Sequence, residues 1–417
     1  MSDESSRQAL TVVREKWGLL EWVINFACWL AHLLRLPLAS LDPASIRRSA
    51  ERTTKLTDIG NPDCLAGMEQ ILGEVRERRE NSLTRIYFRS LCKRSLVNRL
   101  RTRASLAACP SIRDIPIERP IFVLGFPRTG TTLIQNLLTR ESGRRSLEFW
   151  ELTRPAPLHP DPEEDRRKRI ALCEQDLLWA YRACPEMAAI HEIHANTAEE
   201  CWPLMTMAFS ALSTDISQGL RGYGNWLLEQ DLAWVYREYR EALQMLLHRE
   251  AADQLVLKCP EHLWFLDALF EAFPDACVVW THRDPIDCIA SYCSMVSLNL
   301  RAVWAGFDSI KLGEHITHRF HQGVSRAMAV RDQVGDDRFF DVNFFELVQD
   351  PVAIVDRIQG HFGLQGTAEG RAAMQSYLVT DRKDSRGQHR YSAERYGLLP
   401  DEVNERFAEY RRRFGIS

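Results

Sequence analysis

No CxxC pair occurs anywhere in the 417 residues, although cysteine itself is not scarce, at 11. That absence excludes a zinc ribbon or a thioredoxin-like motif. Cys28, Cys64, Cys92, Cys109 and Cys173 are scattered without short repeated spacing. An odd count in a long chain suits free thiols in a reducing compartment, so a cytoplasmic setting is expected. Neither sign of charge dominates. The formal net charge is −4, and nothing global points to nucleic acid. There are no internal repeats and no low-complexity segments. The polar, acidic start Met1–Ser6 is not a signal-peptide n-region. An uninterrupted apolar run is missing too. Trp17–Leu36 comes nearest, but it contains Glu21, Asn25, His32 and Arg35. On a 3.6-residue helix these join Arg14, Gly18 and Cys28 on one narrow stripe. A membrane span needs about 20 predominantly apolar residues with few charges. An amphipathic helix is expected instead. In the simplest reading its apolar face packs on the protein's own core. In the alternative, residues 14–36 make peripheral contact with a membrane or line an apolar pocket.

What is present is ordinary globular composition, 45% hydrophobic and 26% charged, long enough to bury a sizeable core. Residues 1–115 read as a helical N-terminal region. Asn61-Pro62-Asp63 looks like a helix start, with Asn61 as cap and Pro62 in the first turn. Asn81–Arg103 carries Arg85, Arg89, Lys93, Arg94, Arg99, Arg101 and Arg103 and no acidic residue. A solvated helix face is the default explanation, and a basic surface for anionic lipid or an anionic ligand is the other.

The organisation changes at Pro120. Ile121–Leu124 is a short apolar run suited to a central parallel strand. Gly125-Phe126-Pro127-Arg128-Thr129-Gly130-Thr131-Thr132 follows, and then Leu133, Ile134, Leu137 and Leu138 recur with helical spacing. Strand, glycine loop, helix is how a fold presents backbone N–H groups and a helix N-terminus to an anion. Arg128 adds a planar, permanent cation suited to phosphate or sulfate oxygens. Thr131 and Thr132 can add hydroxyls. The loop nearly matches G-x-x-x-x-G-K-[ST], but Thr131 stands where that motif needs lysine. This argues against an ATP or GTP hydrolase and for a shorter, diphosphate-like group.

Leu255–Leu257 is a second strand candidate, ending at Lys258-Cys259-Pro260, with a helical pattern from Glu261 through Phe270. Cys277–Trp280 is a third. It ends at Thr281-His282-Arg283-Asp284-Pro285, and a helix near Ile286 carries Ser291. This β-α-β-α order implies right-handed crossovers and a parallel sheet. Ligands in such sheets bind beyond the carboxyl ends of the strands. The glycine loop, Lys258 and Arg283 all fall there, and Ser291 lies two helical turns further on.

In these segments the chain resembles the PAPS-dependent sulfotransferases, especially the large bacterial-type family related to tyrosylprotein sulfotransferases. PAPS is 3′-phosphoadenosine-5′-phosphosulfate. The resemblance rests on Gly125–Leu133, on Leu257-Lys258-Cys259-Pro260-Glu261-His262-Leu263, and on Phe273-Pro274-Asp275-Ala276 through Arg283 to Ser291. Val342–Val348 is similar to a later strand–loop, although Phe344 and Phe345 depart from the family's Tyr-Glu-Asp-Leu and carry no role. The match spans roughly residues 116–365. It implies a P-loop-like α/β fold, a central parallel sheet with flanking helices, with residues 116–417 as the catalytic domain. An acceptor-side helical insertion is expected at about 151–250. Pro127, Arg128, Thr129, Gly130, Thr131 and Thr132 would hold the 5′-phosphosulfate, and Arg283 and Ser291 the 3′-phosphate. Sulfotransferases also close a late basic loop over the nucleotide. Arg386 and Gly387, in the basic run Arg382–Tyr391, are its candidates.

Sulfuryl transfer is an in-line displacement, so positioning and charge stabilisation should carry most of the catalysis. Arg128 and Lys258 are the candidate cations at the leaving oxygen, and Lys258 matches the catalytic lysine of the tyrosylprotein relatives. Two bases compete. Glu151 stands at about the separation of the relatives' glutamate, with Glu148 fitting nearly as well. His262 has a favourable intrinsic pKa. No metal is required. His191-Glu192-Ile193-His194 is not HExxH, and His194, Glu199 and Glu200 more readily line the acceptor side. The aromatic and methionine-rich stretch Trp202–Trp234 is core by default and an apolar acceptor pocket otherwise. The acceptor is therefore a small molecule, lipid or glycan, with an apolar alcohol favoured. A P-loop nucleotide kinase would want lysine at position 131, and a non-catalytic nucleotide-binding scaffold would bind PAPS without transfer.

Overall fold

Short runs rich in β-branched and aromatic residues, each bounded by Pro, Gly or Asp, form the centre of the molecule. The computed structural model describes residues 19–34, 39–78, 81–183, 192–304, 306–380 and 392–416. Five strands, β1 (Ile121–Gly125), β2 (Arg144–Arg145), β3 (Gln254–Lys258), β4 (Cys277–His282) and β5 (Phe339–Asn343), make one sheet in the order β2-β3-β1-β4-β5. Every pairing is parallel. The register sets Val123 beside Lys258 on one side and Gly125 beside Thr281 on the other. The carboxyl ends of the three central strands therefore meet.

Alternation along the strands feeds two cores, because successive side chains face opposite sides of a sheet. Ile121, Val123, Val256 and Val279 pack with Ile134 and Leu137 of the helix that follows β1. Phe122, Leu124, Leu257, Val278 and Trp280 enter a larger cluster on the other side. That cluster includes residues of α2 (Pro43–Thr54), α3 (Cys64–Glu77) and α4 (Ser82–Ala108), for example Ile46, Leu72 and Leu96. The leading helices thus share the sheet's core. The first helix, α1 (Leu19–Leu33), lies on α4 and behaves differently. Phe26 is 61% exposed and Trp22 and Trp29 are about half exposed, so its apolar face is not packed into the core as the simplest reading had it. No helix among the described residues is long and apolar enough to cross a membrane.

Two local expectations differ, and one strand has no counterpart in the sequence pattern. The α3 helix begins at Cys64, after Asn61, whose side chain instead accepts the Asp63 N–H at 3.0 Å in a local turn. The segment after β3 is a 3-10 turn, Pro260–Trp264, followed by a helix, Leu266–Ala272. Phe265, at φ −139°, breaks the two apart. The two-residue edge strand β2 has no apolar alternation to announce it.

The segment 213–216 is fixed to the helix Ser309–Val334 by buried charge. Asp215 is fully buried, and Arg319 Nε donates to its Oδ2 at 2.6 Å while His315 Nε2 lies 2.6 Å from its Oδ1. Arg319 also donates to Asn225 Oδ1 at 2.7 Å. Removing one partner of a buried pair strands the other charge. Asp215→Ala is expected to lower stability by about 3–5 kcal/mol in urea unfolding, and a loss under 1 kcal/mol would show that solvent reaches Arg319.

Candidate active site

The glycine loop between β1 and α5 (Thr131–Leu138) takes its shape from a close approach. Gly125 has φ 141°, and a Cβ there would collide with the Thr281 hydroxyl and carbonyl of β4. Gly130 has φ 90° and forms the entry to α5. Thr129 is buried. Its hydroxyl donates to the Phe126 carbonyl at 2.6 Å and also meets the Thr281 hydroxyl. The Thr129 side chain therefore ties the loop to β4. Phe126 stacks on Phe320 with ring centres 4.6 Å apart. Arg128 sits exposed at the crest, with φ 74°.

Pro127, Arg128, Thr131, Thr132 and Lys258 line one cleft of about 300 Å³. Lys258, at the end of β3, is 1% exposed. Its Nζ donates to Thr132 Oγ1 at 3.3 Å and lies 3.5 Å from Glu200 and 3.9 Å from Glu199. Burial alone would pull its pKa down, but the Glu200 and Glu199 carboxylates outweigh it and hold the pKa above the usual lysine value. The amine is thus a buried cation under the loop. The carboxylates reach it because the Cys201 N–H donates to the Lys258 carbonyl at 3.0 Å, while the Glu199 N–H donates to Leu147 at 3.2 Å.

Arg283 follows β4 and leans on the same loop. It donates to the Arg128 carbonyl at 3.2 Å, pairs with Asp287 at 2.9 Å, and lies over the Phe344 ring at 4.4 Å. The contact gives Phe344 a part in orienting Arg283 that sequence reasoning had not assigned. Ser291 lies nearly buried on the helix Pro285–Val303, beside Tyr292, which lines the cleft. Arg386 and Gly387 lie outside the described residues.

The two expected bases sit away from the cleft lining. Glu151 occupies the third position of α6 (Phe149–Thr153), where it closes a capping box by accepting the Glu148 N–H at 2.9 Å. It also pairs with Arg145. Glu148 accepts the Trp150 indole N–H at 2.6 Å. His262 is fully buried against Phe122, with Tyr236 at 2.8 Å from its Nδ1, and burial pushes its pKa down to about 3. The ring stays neutral, inside the core.

The cleft wall beyond Lys258 changes character. Glu199 and Glu200 stand beside the amine, and Tyr87, Phe149, Trp202, Trp264, Met295 and Leu298 make the remainder largely apolar. Tyr87 comes from the basic helix α4, where its neighbours' charges had masked it. Glu261, in the lysine segment itself, accepts the N–H groups of Leu212 and Ser213, both at 2.7 Å, and so fastens the 213–216 turn to the site. Among the described residues, no group of three His, Cys, Asp or Glu side chains is arranged for a metal.

A parallel sheet with a glycine loop, a buried lysine and an arginine gathered at its carboxyl edge has the make-up of a site for an anionic, nucleotide-like ligand. The comparisons specify the group. Residues 120–369 match the profile of the Sulfotransferase family. The solved sulfotransferase STF9 from Mycobacterium avium has 29% sequence identity and a TM-score of 0.79, covering 90% of this chain and 97% of that one. Sulfotransferase STF1 from Mycobacterium tuberculosis H37Rv has 30% identity and a TM-score of 0.77, over 88% of this chain and 98% of that one. An omega-hydroxy-beta-dihydromenaquinone-9 sulfotransferase, Stf3, of Mycobacterium tuberculosis is 24% identical over 315 residues, 72% of this chain and 75% of that protein. The chain belongs to the sulfotransferase family, and its activity is sulfuryl transfer.

Glu261 gives this site a pH signature. Burial raises its pKa from 4.5 to about 7, only partly opposed by the Ser213 and Leu212 N–H groups. Its unfolded form ionises near 4.5, so between about 4.5 and 7 the unfolded state sheds a proton that the fold retains. The contribution to stability is complete at low pH and is lost as pH rises through about 7. It is on the order of 3 kcal/mol at most. Urea melts at acidic and neutral pH should show this downward slope, and Glu261→Gln should flatten it. An unchanged slope in the variant would assign the dependence elsewhere.

Proposed function

We propose that the protein transfers the sulfuryl group of PAPS to the hydroxyl of an apolar alcohol. The observation that carries this reading is Lys258, a buried cation between Thr132 of the glycine loop and the Glu200 carboxylate, in one cleft with Arg128 and an apolar far wall. The donor set suits a phosphosulfate: backbone N–H groups at the start of α5, the Thr131 and Thr132 hydroxyls, and two cations. PAPS supplies an activated sulfur whose bond to the 5′-phosphate oxygen breaks as the acceptor oxygen bonds to it. Lys258 and Arg128 stabilise the charge that gathers on that phosphate. Gly130 and the Thr129–Thr281 tie fix the loop that presents these groups. Arg283 and Ser291 take the 3′-phosphate.

For the proton of the acceptor hydroxyl we assign Glu200, in place of Glu151. Its side chain is 31% exposed in the cleft, against 10% for Glu199, and it sits 3.5 Å from Lys258. Glu151 is held by its cap and by Arg145. The apolar wall supports an acceptor with a hydrocarbon body, and the Stf3 relative is named for an omega-hydroxylated menaquinone, an alcohol at the end of a long apolar molecule. A long-chain primary alcohol should be sulfated well ahead of monosaccharides, and sulfation of sugars alone would reject this acceptor class.

The donor reading is tested by calorimetry with adenosine 3′,5′-bisphosphate beside ATP and Mg²⁺. The bisphosphate should bind and ATP should not compete. Arg283→Ala should lose about 10- to 100-fold in affinity, the range for a hydrogen bond to a charged group. A preference for ATP with Mg²⁺ would overturn the reading. Glu200→Gln should keep bisphosphate affinity and lower kcat by about two orders of magnitude. A variant with full kcat would remove Glu200 from the chemistry.

A further inference from the structure

The apolar surface of α1 has no core to cover, and it lies on a helix that reaches the cleft. Asn25 of α1 accepts the Leu83 N–H of α4 at 3.1 Å, which seats α1 on the first turn of that helix. One turn further along α4 is Tyr87, which is 37% exposed and lines the cleft. Seven residues later, on the same side of α4, Arg94 meets Asp176 of α7 (Pro162–Ala183) at 3.8 Å. Here α7 carries a second exposed apolar group, Leu178 at 49% and Trp179 at 61%, with the Arg182 guanidinium 5.4 Å over the Trp179 ring. Tyr181 closes the circuit, since its hydroxyl bonds both the N–H and the carbonyl of Ile193, another residue of the cleft wall. Exposed tryptophans therefore stand on two separate helices beside the part of the cleft that Tyr87 and Ile193 line.

Charge selects the partner. The α4 helix carries seven basic residues and no acidic one; Arg94, Arg99 and Arg103 pair with carboxylates of other elements, and Arg85, Arg89, Lys93 and Arg101 hold no ion pair among the described residues. Arg85 and Arg89, in the half of α4 that seats α1, donate to the carbonyls of Ala39 and Ser40. Indole rings favour the boundary between headgroups and acyl chains, and basic groups favour anionic headgroups.

We propose that α1 and the C-terminal end of α7 dock in the interface of an anionic phospholipid bilayer, with the Tyr87 side of the cleft turned to the lipid. An apolar alcohol then passes from bilayer to cleft without crossing water. The route for the alcohol rests on the acceptor reading above; the docking itself does not. A second copy of the chain, the other occupant such a face could take, offers no matching reason for Arg85, Arg89 and Lys93, which hold no ion pair among the described residues.

The test is flotation of the full-length protein with vesicles of phosphatidylglycerol and phosphatidylcholine, and with phosphatidylcholine alone. The protein should float with the anionic vesicles and much less with the neutral ones. Trp22→Ser combined with Trp29→Ser, and separately Trp179→Ser, should each lower vesicle partition by about tenfold, with bisphosphate binding unchanged as the check on folding. Failure of the wild type to float, or equal flotation of the variants, overturns the proposal. So does a dimer in sedimentation that the α1 variant turns to monomer without changing flotation. Flotation as expected with no sulfation of any alcohol would overturn the acceptor reading and leave the docking intact.

Discussion

Everything at the carboxyl edge of the sheet depends on keeping one nearly buried amine charged at the wall of the cleft. Lys258 is almost fully buried, and burial by itself would strip its proton. Glu199 and Glu200 prevent this, and they arrive through a chain segment hydrogen-bonded to Leu147 and to Lys258 itself. In the proposed mechanism the same two carboxylates mark where the phosphate side of the cleft ends and the acceptor side begins. Low surrounding dielectric makes the charge strong toward a phosphate oxygen, and it makes the arrangement intolerant of losing a member.

The fold serves this constraint by anchoring each contributor separately. Thr129 and Thr281 lock the glycine loop to β4, and Gly125 allows the approach. Glu261 fastens the 213–216 turn from the phosphate side, while Asp215 fastens it from the opposite side through Arg319. The 213–216 turn, which brings Ser213 and Ile216 to the cleft lining, is thus pinned from two sides, so this wall holds its place without a strand network of its own.

Legibility in the sequence followed contiguity. The glycine loop, Lys258 and the Arg283 segment were readable because each lies within a few residues of a strand end, where local pattern and site coincide. The three central strands followed from the same runs; β2, whose two arginines carry no strand pattern, did not, and β5 was touched only through the resemblance at Val342–Val348, where a helix takes over from Phe344. Glu151 and His262 had the right chemistry, but tertiary contacts decide their surroundings: a capping box and an arginine hold one, and aromatic rings enclose the other. Tyr87 was hidden among basic neighbours, and Phe344 looked only like a departure from a familiar pattern. The α1 helix was recognised as amphipathic, but periodicity says nothing about whether a partner surface exists. Arg386 and Gly387 fall outside the described residues, and their part in closing the site stays a proposal.

The account stands on the charge of Lys258 acting at the leaving phosphate. Its most direct test is the single-turnover rate of ³⁵S transfer from PAPS to a long-chain alcohol, compared between wild type and Lys258→Ala with donor saturating. The rate should fall by about two orders of magnitude or more, as for removal of a group that stabilises developing charge, and saturating donor keeps any loss of donor affinity out of the rate. A variant that transfers sulfate at the wild-type rate would contradict it, because the buried amine would then be a structural cation and the chemistry would belong to another group.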